Sequence, residues 1–154
     1  MTDAERQQEG CDLLFQQLDW VVRNQIAWNK ANPTKPIRQP HLVDDRLLPE
    51  EGASLTGAAA QTVTGRCPRL RQRYGEDAVR FLSRDGAGRF PQEFGAGWVT
   101  RWSFPSISAD GRTAVLREDM VTADGSAGGG HRYTFERDGL GKWRQTKHEP
   151  LWFS

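Results

Sequence analysis

An α+β fold, with helices first and an antiparallel sheet after them, follows from three observations. Apolar residues from Cys11 to Ile26 recur at three- and four-residue intervals, which is the stripe of an amphipathic helix. From Trp98 onward apolar and polar residues alternate at a period of two. Asp-Gly pairs at 110–111 and 138–139 punctuate that second region where tight turns between strands need positive φ. A chain of 154 residues fits a single domain, 1–154, able to bury about two thirds of its unfolded surface.

The first element is a long helix within residues 1–32. Cys11, Leu14, Phe15, Leu18, Val22 and Ile26 form its stripe, widened by Trp20, Val21 and Trp28. Thr2 and Glu5 have the spacing of a capping box, and Asn32-Pro33 supplies a stop because the residue before proline is pushed out of the α region. Gly10 reads as the mark of a frayed or separate start. Residues 33–66 form a connector, since Pro33, Pro36, Pro40 and Pro49 hold it extended or turning, with room for a short strand or helical turn at 42–48.

A second helical region is expected over 67–84, opened by Pro68, with Cys67, Leu70, Tyr74, Ala78, Phe81 and Leu82 on one face. Its other face carries Arg69, Arg73, Arg80 and Arg84. Such an arginine stripe would receive carboxylate or phosphate groups in bidentate fashion, or simply lie in water beside Glu76 and Asp77. The sheet follows over 97–153 as a four-stranded antiparallel meander. Its strands are Trp98 to Ile107 with a break at Pro105, Thr113 to Val121, His131 to Arg137, and Lys142 to Glu149. Gly125 and Gly128–Gly130 read as a hairpin loop, because no Gly-Lys-Ser/Thr opens a helix there to cradle phosphate. The aromatic face made by Trp98, Trp102 and Phe104 needs a cover, which the helices provide.

Composition narrows the function classes. Lys+Arg 21 against Asp+Glu 20 leaves a formal charge of +1, which argues against a nucleic-acid binder. No apolar run approaches the roughly 18 to 20 residues of a spanning helix, and the first residues lack the pattern of a secretory signal. The chain as given therefore reads as cytoplasmic, or as periplasmic if a signal was removed ahead of Met1. Cys11 and Cys67, with three scattered histidines, form no zinc framework, and neither a metal nor a cofactor is indicated. Two buried thiols are the expected state of these cysteines, and a disulfide between the two helical regions is the alternative.

In the C-terminal region, Trp102-Ser103-Phe104-Pro105-Ser106-Ile107-Ser108 is followed by Asp110-Gly111-Arg112-Thr113-Ala114-Val115-Leu116. The glycine-rich turn, Asp138-Gly139 with Lys142-Trp143, and the terminal Leu151-Trp152-Phe153-Ser154 come next. This pattern over 98–154 resembles a group of uncharacterised bacterial proteins similar to the cone-shaped folds of the nuclear transport factor two-like and cystatin-like type. Such folds host isomerases, dehydratases, small-ligand binders and bacterial immunity proteins, so the resemblance implies an architecture and not a choice among these.

Two functions remain in view. The first is a small non-enzymatic binding protein, of the immunity type, that engages a toxin-like partner protein through Trp98, Trp102, Trp143, Arg69, Arg73 and Arg80. The alternative is a small-ligand carrier, or an isomerase- or dehydratase-like enzyme, that uses a cavity holding an apolar ligand. Its acid–base candidates are His131, Asp119 and His148, with His41, Asp44 and Asp45 behind them. The sequence leaves the face of His131 and a homodimeric state open.

Overall fold

The computed structural model describes residues 1–49, 61–94 and 97–154; residues 50–60 of the expected connector lie outside them. Helix α1 spans Asp3–Ala31. The Thr2 hydroxyl accepts from the Glu5 N–H at 3.1 Å and the Glu5 carboxylate accepts from the Thr2 N–H at 3.4 Å, so the capping box forms as read. α1 runs unbroken through Gly10, which corrects the expectation of a frayed start. A Cβ at Gly10 would stand 2.5 Å from the Phe104 ring, so this glycine is where that ring packs against the helix backbone.

The expected antiparallel meander is replaced by a mixed sheet of seven strands. These are β1 (His41–Asp44), β2 (Val79–Leu82), β3 (Trp98–Trp102), β4 (Ser106–Ile107), β5 (Thr113–Thr122), β6 (Gly128–Arg137) and β7 (Trp143–Phe153). Their order is β2-β1-β3-β5-β6-β7, with β4 also paired to β5. β1 pairs in parallel with β2 and β3, while the β3–β5, β5–β6 and β6–β7 pairs are antiparallel. The difference arises in the chain ahead of β3. The connector contributes β1, and the expected second helical region contributes β2. Helix there is confined to α2 (Val63–Arg66) and α3 (Pro68–Arg73). Val79–Leu82 looked helical because Ala78, Phe81 and Leu82 continue a three- and four-residue spacing, and a short apolar run fits either period.

β5, β6 and the start of β7 lie close to their expected places, and Gly111 at φ 71° makes the turn into β5. The glycine run, however, belongs to β6 and not to the loop. A Cβ at Gly130 would collide with the Trp152 indole, and one at Gly128 would lie 3.0 Å from the same ring, so these glycines seat that side chain. β7 continues past Pro150 to Phe153 as an edge strand, where a missing N–H is tolerated.

α1 covers one face of the sheet. Leu13, Leu14 and Leu18 meet Val43, Trp102, Leu116, Phe135 and Trp143 in the larger cluster. The smaller cluster joins Leu42, Leu82, Phe90, Phe94 and Val99. Because β1 residues alternate, Leu42 and Val43 divide between the two. Cys11 and Cys67 are disulfide-bonded, with Cα atoms 5.6 Å apart, instead of standing as two thiols. The bond ties α1 to the junction of α2 and α3.

Candidate functional site

Burial along α1 stops at Leu18; no residue beyond it on the helix is buried. Below this stretch a cleft of about 500 Å³ opens between helix and sheet. Gln16, Gln17, Trp20 and Val21 form its roof. Trp102 of β3, Glu118 of β5 and Tyr133 and Phe135 of β6 form its floor, and Gln145 and His148 of β7 form one side.

Glu118 reaches this place by alternation along β5: Ala114 and Leu116 face the helix, so Glu118 does too. It stands opposite Trp102 on one neighbouring strand and His131 on the other. The Trp102 indole N–H donates to Glu118 Oε2 at 2.8 Å. Desolvation pushes the Glu118 carboxyl above the usual carboxylate range; the indole hydrogen bond opposes this, Asp119 adds to it and His148 opposes it. The side chain thus touches the cleft while surrounded by protein.

His131 Nδ1 and His148 Nε2 are 2.7 Å apart, so one donates to the other and the bond requires at least one neutral ring. Tyr133 stacks on His148 with centroids 4.9 Å apart and planes 15° from parallel. Burial also raises the Tyr133 hydroxyl. A carboxyl and a hydrogen-bonded imidazole pair therefore share one aromatic face, a set able to donate, accept and pass on a proton.

His148 faces the cleft because of a register shift. Phe135 pairs with Gln145 but Thr134 with Lys147, so a bulge turns His148, and not Lys147, to the side of Gln145.

Several expected residues lie elsewhere. Asp119 is on the other face of β5, where it accepts from Trp152 Nε1 at 3.3 Å and faces Arg117 at 3.4 Å; it does not meet His131. Trp143 is buried in the core beneath the Arg137 guanidinium, which corrects its reading as a binding anchor. Trp102 is also buried, only 1% exposed, and serves as floor and not as an exposed contact. Trp98 is half exposed at the far end of β3, outside the cleft lining.

The arginine stripe does not form. Arg69 and Arg73 are on α3, with Arg73 paired to Asp19 at 3.3 Å, whereas Arg80 is on β2 beside Glu93 at 3.8 Å. Arg84, beyond β2, holds Asp44 at 3.2 Å, and Asp45 accepts from the Thr64 N–H and hydroxyl. His41 is buried enough to be lowered to about 4, and its Nε2 has no partner among the described residues. It does not line the cleft.

Glu118 was not among the expected acid–base residues. Its signal was present in the sequence as the third member of Ala114, Leu116, Glu118, a carboxylate on an apolar strand face. Among the described residues, no group of three or more His, Cys, Asp or Glu side chains is arranged to hold a metal ion. No helix among them is long and apolar enough to cross a membrane. The chain matches no family model, and no curated protein or solved structure matches it.

Proposed function

We propose that the chain binds a small organic molecule in the cleft under α1 and handles it through Glu118, as a ligand carrier or as an isomerase- or dehydratase-like enzyme. The observation that carries this reading is a carboxyl pushed upward by burial at the floor of an aromatic cleft that remains open to a ligand. In the enzymatic form, the Glu118 carboxylate abstracts a proton beside a carbonyl, and the carboxyl so formed delivers it to a departing hydroxyl, which leaves as water, or to another carbon of the substrate, so that Glu118 ends as it began. The His131–His148 pair, with His131 opposite Glu118 on the neighbouring strand, offers a second donor and acceptor to the substrate's oxygen. Trp102 fixes the carboxyl through its N–H.

A fragment screen by ligand-observed NMR tests this reading. Fragments that bind and lose affinity in both Glu118→Gln and Tyr133→Leu support it, while fragments that bind only to the surface of Arg69 and Arg73 overturn it. A partner-protein reading, immunity-type proteins included, keeps one observation in its favour: Trp20, Trp98 and Phe153 are 67%, 50% and 76% exposed. It requires a stoichiometric complex that Trp98→Ala weakens. The Cys11–Cys67 disulfide favours the periplasmic alternative over the cytoplasm, since such bonds persist in oxidising compartments.

A further inference from the structure

We propose that the ligand of this cleft is a cationic amine carried on an aromatic or aliphatic body. The inference rests on the small-molecule reading above and adds the charge class. Four features of the lining converge on it.

Among the described residues Glu118 is the one carboxylate in the lining, and neither lysine nor arginine lines the cleft with it. Among the described residues its one hydrogen-bond donor, the Trp102 indole N–H, satisfies a lone pair of Oε2 but brings no counter-charge. Trp20, Trp102, Tyr133 and Phe135 offer aromatic rings around the same space, and the negative face of such a ring attracts an ammonium group. Gln16, Gln17 and Gln145 add carboxamide oxygens that accept from ammonium N–H groups. A neutral ligand would meet the hydrogen-bonding capacity of Glu118 and leave its charge uncompensated; an anion would meet a like charge. Arginine-bearing surfaces exist elsewhere on the molecule, at Arg69 and Arg73 beside Phe15, so among the described residues the lack of lysine and arginine is a property of this lining, where His148, hydrogen-bonded to His131, is the one other ionisable base.

The test is calorimetric titration of the full chain at about pH 8 with three probes of matched shape: phenethylamine, phenethyl alcohol and phenylacetate. The amine is expected to bind about tenfold more tightly than the alcohol, with phenylacetate weakest. Glu118→Gln is expected to bring the amine to the level of the alcohol, whereas Arg73→Gln leaves all three unchanged. If the alcohol equals the amine, or phenylacetate binds best, and Tyr133→Leu still abolishes binding, the charge class falls and the small-molecule cleft stands. If none of the probes binds by about 10 mM, or Tyr133→Leu changes nothing, the cleft reading falls with it. The wild-type ranking decides the charge class even should a variant fold poorly.

Discussion

Up to Leu18, α1 turns Gly10, Cys11, Leu13, Leu14 and Leu18 into the core, whereas past Leu18 every side chain of the same helix is at least partly exposed. The first half is also fastened. Besides the disulfide, Gln7 Nε2 donates to the Arg66 carbonyl at 2.7 Å, Arg66 donates back to Gln7 Oε1, and Arg137 pairs with Glu9. The second half is held by polar contacts without a covalent tie: Asp19 pairs with Arg73 and accepts from the Tyr74 hydroxyl, and Gln25 and Asn29 donate to carbonyls of Ile37 and Gln39. One helix on one sheet therefore has a sealed end and an open end. The seal lets the other end stay unfilled, because the apolar contact that orders α1 is concentrated where no ligand needs to enter.

The largest way to break the contrast is to remove the disulfide with Cys11→Ser and Cys67→Ser together. The bond closes a span of 56 residues, and a loop of that length is worth about 4 kcal/mol through the unfolded state. Urea unfolding should show that loss, and amide exchange should quicken in the first half of α1 far more than in the second. Equal quickening along the helix would mean that its halves are not separately anchored.

A smaller effect compares the halves directly. Leu14 is fully buried, so Leu14→Ala should cost about 3 kcal/mol. Val21, on the cleft roof, is partly exposed already, and Val21→Ala should cost under about 1 kcal/mol. Similar losses at both positions would close the cleft in solution.

The sealed end was legible in the sequence and the open end only in part. Cys11, Leu14 and Leu18 announce themselves by helical spacing, and the capping box fixes where α1 begins. Burial then weakens at Val22, which packs only partly against the core, and fails at Ile26, although the apolar spacing continues, because periodicity says which face a residue takes and not how much lies opposite it. β1 and β2 were hidden for a related reason: a parallel pair between four-residue strands has no hairpin turn to signal it. At the candidate site, His131 and His148 are both acid–base candidates from the sequence, but the bulge that brings His148 inward has no sequence mark. Strict alternation from Trp143 through Gln145 would have chosen Lys147. Asp119 is the candidate from the sequence and Glu118 the carboxyl in the cleft; the two differ by one position, which in a strand is the whole difference between faces.

The smallest expected effect, and the most specific to the open end, is the pH dependence of stability in Glu118→Gln. Burial raises the folded carboxyl above its unfolded value of about 4.3, so the folded state binds more protons than the unfolded state in the window between the two. The stability tied to protonated Glu118 is thus fully present below that unfolded value and is lost as pH rises through the folded one. His41 works in the opposite direction. Lowered to about 4 by burial, it makes the fold lose stability as pH falls from about 6.5 toward 4. That contribution is common to both proteins and cancels in their difference. The carboxamide of the variant retains an oxygen for the Trp102 N–H and carries no charge to desolvate, so the variant should match the wild type near pH 4 and become progressively the more stable above it. Denaturant midpoints at several pH values measure this difference. A flat or falling difference would mean that Glu118 is hydrated in the folded protein, and the open end would then be an ordinary surface groove.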